Sequence, residues 1–141
     1  MFIDQAEEMP VVIFYKKTGR TYTAMSEKDF NSNKKLTSEE KEKYHKLSLR
    51  MKVITWELQN KILEKSHIVN PEDPNRYIWS VKASKEAKLL NLIISWDAKD
   101  KDGNPIAATP ERILSLAPDI AETILNTHDE QSYLGDDEVG K

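Results

Sequence analysis

The apolar positions of this chain form one short extended block near the N-terminus and a series of helically spaced stripes after it. Val11 to Tyr15 is a β-branched and aromatic run, and Thr21 to Met25 is a second, weaker one. Between them lies Lys16-Lys17-Thr18-Gly19-Arg20, where Gly19 suits the left-handed position of a tight loop. The pattern predicts a β-hairpin. A two-stranded hairpin is marginal alone in water, so it must pack on helices or pair with another chain.

Ser26-Glu27-Lys28-Asp29 can cap one helical turn ending near Phe30, and Asn31 to Lys35 reads as a polar linker. Thr37-Ser38-Glu39-Glu40 is a capping box, and no Gly or Pro interrupts the chain from there to Ser66. Tyr44, Leu47, Met51, Ile54, Leu58 and Ile62 recur at spacings of three and four, which predicts one long amphipathic helix. Leu49, Val53, Trp56 and Leu63 form a second stripe on it. Two apolar faces imply a helix packed on both sides, or one with a face open to a partner.

Asn70-Pro71 and Asp73-Pro74 end that helix in a loop. Helix resumes around Trp79 to Ser84. Ala83, Ala87, Leu90 and Ile94, broadened by Leu89, Leu92, Ile93 and Trp96, mark a helix buried in a small bundle. Asp102-Gly103 and Asn104-Pro105 then make a turn, and Thr109-Pro110-Glu111 restarts helix with an N-cap, a proline at the first position and a carboxylate at the positive end. Pro118 predicts a break near Leu116-Ala117, and Ile113, Leu116, Ile120 and Ile124 share a stripe. The fold expected is mainly α: a small helical bundle with an N-terminal β-hairpin and a flexible acidic C-terminal tail. Its divisions are a hairpin and linker over 1–36, a helical domain over 37–131 and the tail over 132–141.

Composition narrows the function classes. The chain has 141 residues, net charge −3 and no cysteine, which excludes disulfides, thiolate metal sites and thiol catalysis. No apolar run is long enough for a membrane span, and MFIDQAEEMP lacks the basic and apolar regions of a signal peptide. The expectation is a soluble protein with no membrane partner. The acidic balance weighs against nucleic acid; Lys16, Lys17 and Arg20 at the hairpin tip, flanked by Tyr15 and Tyr22, are the one feature on the other side.

Candidate chemistry is sparse. Asp100 and Asp102 fill two acidic positions of a calcium loop aligned on Gly103, but Ala98 and Thr109 stand where its first and last ligands belong. His45, His67 and His128 are dispersed and form no metal-binding spacing. Neither a nucleophile elbow nor a phosphate-binding glycine loop is present. No catalytic residue, metal ligand or cofactor is assigned, and the expectation is a protein that is not an enzyme. Trp56, Trp79 and Trp96 read as core anchors, with any exposed one marking an interaction site.

One stretch carries a family likeness. Ser95-Trp96-Asp97 closes a helix and Asp100-Lys101-Asp102-Gly103-Asn104-Pro105 forms a polar turn. A Thr109-Pro110-Glu111 cap, a Leu116-to-Pro118 break and the helix IAETIL with its acidic end follow. The order resembles the tail assembly chaperones of long-tailed bacteriophages. The resemblance implies a largely helical, non-enzymatic protein of the host cytoplasm that coats the tape measure protein before tail tube protein polymerises around it. Tape measure protein is the expected partner, tail tube protein a second one, and homo-oligomerisation is left open. The expected partner-binding residues are Leu116, Ile120 and Ile124, with Trp96 at the groove end. The alternative is a structural virion component of neck or tail that self-assembles through the hairpin and helices.

Overall fold

The computed structural model describes residues 1–4 and 7–139, with only the backbone of 134–139. Six strands and six helices follow in the order β1 (Glu8–Thr18), β2 (Thr21–Ser26), α1 (Glu27–Ser32), α2 (Ser38–Glu42), β3 (His45–Lys52), α3 (Trp56–Ser66), β4 (His67–Asn70), β5 (Asp73–Trp79), α4 (Val81–Leu92), β6 (Ile93–Trp96), α5 (Pro110–Leu114) and α6 (Pro118–Val139) among the described residues. A four-stranded antiparallel sheet runs β2-β1-β3-β6, and β4 and β5 form a separate two-stranded ribbon. The architecture is mixed α/β, which corrects the expected mainly α bundle.

The N-terminal hairpin forms as expected. β1 and β2 pair from Thr18↔Thr21 to Ile13↔Ser26, and Gly19 takes φ +64° at the tip. The other edge of β1 pairs with β3 from Tyr15↔His45 to Glu8↔Lys52. Residues on either side of position 36 therefore share one sheet and one core.

The long helix expected over 37–66 is three elements. The Thr37 cap forms, its hydroxyl accepting from the Glu40 amide at 3.2 Å, but α2 stops at Glu42. His45–Lys52 is a strand in which Leu47, Leu49 and Met51 point inward and Lys46, Ser48, Arg50 and Lys52 point away. Leu47, Leu49 and Met51 are what the two helical stripes had divided between them: taken together they alternate, which is the period of a strand. β6 is a second correction, because Ile93–Trp96 leaves the helix and pairs with β3. β4 and β5 are a third; they occupy the segment expected to be a loop.

One face of the sheet carries the core. Val11, Ile13, Leu47, Leu49 and Met51 meet Ile62 of α3, Ala87, Leu89 and Leu92 of α4, Ile93 of β6, Ile113 of α5 and Ile120 and Ile124 of α6. On the reverse face the Phe14 ring stacks on Phe30 at 3.9 Å, and Phe30 meets Tyr44 edge-on at 5.5 Å. α6 passes β1 where β2 has ended; Gln131 Nε2 donates to the Pro10 carbonyl at 2.9 Å. The terminal segment expected as a mobile acidic tail is helical through Val139, and residues 140–141 lie outside the described residues.

Candidate protein-interaction surface

α3 and α4 pack against each other, and the β4–β5 ribbon is inserted between them. Its root is fixed by short-range bonds. The Ser66 side chain is fully buried and its hydroxyl donates to the Ile62 carbonyl at 2.6 Å. The Ser80 amide donates to the Ser66 carbonyl at 2.8 Å, and the Ser80 hydroxyl caps α4 by accepting from Ala83 N at 3.1 Å. His67 ends α3 with Nδ1 hydrogen-bonded to the Leu63 carbonyl at 2.8 Å, and its ring meets Trp79 edge-on at 5.5 Å. The turn is closed by polar side chains: Asn70 Oδ1 accepts from Glu72 N at 3.0 Å and Asp73 Oδ1 from Asn75 N at 3.1 Å.

Beyond that root the ribbon is apolar and uncovered. His67 opposes Trp79 and Val69 opposes Tyr77 on one face, and Ile68 opposes Ile78 on the other. Tyr77 is 71% exposed, Trp79 49% and Val69 48%. Ribbons of this kind owe their stability to a packed face, and here both faces keep large apolar side chains partly exposed.

Trp79 also lines a cleft of about 540 Å³ that opens at the ribbon root. Gln59, Ile62 and Leu63 of α3 form one wall, Ser84 and Lys88 of α4 the floor, and Asp129, Ser132 and Tyr133 of α6 the far wall. Tyr133 is exposed on its rim. Trp56, 78% exposed, lies two turns before Leu63 and shares its face of α3. Trp56 is thus separated from Leu63 by Gln59 and Asn60 on that face, and an apolar surface runs from Leu63 through the cleft to the Val69, Tyr77 and Trp79 face of the ribbon. Exposed tryptophan and tyrosine in a concave setting are the residues that anchor protein partners.

The residues expected to bind a partner lie elsewhere. Ile124 is fully buried and Ile120 is 6% exposed, both in the core. Leu116 is half-buried against it, and Trp96 is half-buried with its indole donating to the Ile106 carbonyl at 2.6 Å. The folded chain has used all four in its own packing. Of the three tryptophans, Trp56 and Trp79 are the exposed ones. The ribbon had a sequence signal in Ile68-Val69 and Tyr77-Ile78-Trp79 flanking the Asn70-to-Pro74 turn residues.

The remaining candidates are structural. Asp100 Oδ1 accepts from both Asp102 N and Asn104 N at 2.9 Å, so this carboxylate closes its own turn. His128 is buried, and its Nε2 is 2.9 Å from the Lys52 carbonyl. A carbonyl only accepts, so Nε2 carries the proton. Burial pushes its pKa below the usual histidine range. The chain matches no protein-family model, no curated protein and no solved structure.

Proposed function

We propose that this chain is a tail assembly chaperone of a long-tailed bacteriophage, a non-enzymatic protein that holds the tape measure protein in the host cytoplasm while the tail is built. Two things support the reading. One is the likeness of the segment from Ser95 to the IAETIL helix. The other, which carries it, is the exposure of Trp56, Tyr77 and Trp79 along and beside an open cleft that joins Ile62, Leu63 and Trp79 to the polar side chains of α4 and α6. A client helix with apolar residues on one face would lie in that cleft and cover the ribbon, removing both apolar surfaces from water. On this reading the client contacts α3, the ribbon and the α6 rim.

The test is co-expression with the tape measure protein of the same genome, followed by size-exclusion chromatography with light scattering. The expected result is a soluble, co-eluting complex that is lost when Tyr77→Ser and Trp79→Ala are combined, with the variant still folded. A tape measure protein that stays insoluble would end the chaperone reading.

One feature favours the second reading, a structural virion component. Each strand of the ribbon has one edge without a strand partner among the described residues. Such an edge can add a strand from a second copy. That reading expects the chain alone to form a defined large assembly in the same chromatography.

A further inference from the structure

At the opposite end of the sheet two lysine-bearing loops face each other across a row of aromatic rings. The row lies where the core face of the sheet runs past the helices. Tyr15 of β1 pairs with His45 of β3, their rings 5.5 Å apart, and Tyr22 of β2 lies 6.3 Å from Tyr15 on the other side. One loop is the β1–β2 tip. The other is the turn after β6, closed by the Lys99↔Pro105 bridge and by Asp100. Between them is a cleft of about 600 Å³, within the range of about 300–1,000 Å³ typical of small-ligand sites.

The charge of this cleft opposes that of the chain. Lys17, Lys99 and Lys101 line it against Asp97 and Asp100, in a protein of net charge −3, while Lys46 borders it from β3 with its side chain on the reverse face. Both aspartates already accept backbone amides: Asp97 Oδ1 takes Ser48 N at 2.8 Å, and Asp100 closes its turn. The lysines have no such commitment. Among the described residues none of the three is in an ion pair, and Lys17 rests over the Tyr22 ring at 6.0 Å. Only the fold assembles this set, because its members come from β1, β2, β3 and the loop beyond β6.

We propose that this cleft binds a nucleotide unit, with the base stacked on the Tyr15, Tyr22 and His45 row and the phosphate held by Lys17, Lys99 and Lys101. Lysines alone would suit any anion; the adjacent rings select one that carries a flat aromatic group. The same unit can arrive as a free nucleotide or within a single strand. In either case the site is separate from the client cleft, and its failure would leave the chaperone reading untouched.

The experiment is fluorescence anisotropy with a fluorescein-labelled oligothymidylate of about 12 nucleotides, a length within the span of single-strand sites. One phosphate contact predicts affinity falling roughly 2.5-fold between about 50 and about 200 mM salt. Lys17→Glu with Lys99→Glu is expected to weaken binding at least about tenfold, and Tyr22→Ala at least about fivefold, with circular dichroism unchanged. Lys17 and Lys99 are exposed and Tyr22 is half-buried against the core, so the circular dichroism spectrum and melting temperature of Tyr22→Ala are compared with those of the parent chain before its binding is read. Competition by uridine monophosphate as well as by unlabelled strand would assign the site to free nucleotides; competition by strand alone would assign it to single-stranded nucleic acid. Absence of binding by both probes overturns the proposal. So does binding that responds to the charge reversals and not to Tyr22→Ala, since that is attraction to charge without a stacking site.

Discussion

The indole nitrogen of Trp96 donates to the main-chain carbonyl of Ile106 at 2.6 Å, joining the end of β6 to the chain that returns from the Asp100–Gly103 turn. The bond spans the turn on which the family likeness rests, and it makes Trp96 a strut between strand and loop. Trp96→Phe keeps the ring and removes the donor. It is expected to cost about 1–2 kcal/mol in urea unfolding, because the half-buried carbonyl is left without that partner. If the proposed chaperone reading holds, binding of the tape measure protein is unchanged in this variant.

The Ile124 side chain is fully enclosed between the sheet and the helices. Ile124→Ala is expected to destabilise the chain by about 2–4 kcal/mol through lost burial and the cavity left behind. Trp56→Ser, at a position 78% exposed, is expected to change stability by less than about 0.5 kcal/mol. Denaturant titration of the pair separates core from surface, and a large loss from Trp56→Ser would refute its place on the interaction face.

His128 makes stability depend on pH. Burial lowers its pKa and Lys88 acts in the same direction, against the Lys52 carbonyl and Asp129, which raise it. The unfolded chain therefore takes up a proton at a pH where the folded chain does not. The contribution is complete above the ordinary histidine value of 6.5 and is lost as pH falls below it toward the folded pKa. Melting curves at about pH 7.5 and about pH 5 should show a drop that is smaller in His128→Gln, whose amide can still reach the carbonyl.

Gly103 holds φ at +81° with open space where a Cβ would be. Gly103→Ala therefore meets no steric neighbour and should cost only the backbone term, about 1 kcal/mol, while Gly103→Asn should cost less. Thermal unfolding that shows no loss for Gly103→Ala would mean the turn relaxes to another conformation.

The local signals in the sequence were legible because their causes lie within a few residues. The Ser26, Thr37 and Thr109 hydroxyls each accept the amide three residues on, as their spacing implied. Gly19 and Gly103 take the positive φ their turns require, and the chain breaks between Leu114 and Pro118 as the proline implied. Periodicity misled where two periods coincide. Leu47 and Met51 are four apart, which suits a helix, but Leu49 lies between them and makes the run alternate. Choosing between those periods needs the partner strand, and β1 lies far away in the sequence.

By itself, then, the sequence determined the places where the chain turns, caps and restarts, because a serine hydroxyl, a proline ring or a glycine acts on its immediate neighbours. Tertiary structure decided which apolar residues are enclosed. The β1–β3 pairing turned His45–Lys52 into a strand, and packing of α6 on the sheet buried Ile120 and Ile124 while Trp56 and Trp79 stayed exposed. Burial is shared among elements distant along the chain, and hydrophobicity alone does not say which of several equally apolar stripes the rest of the molecule will cover.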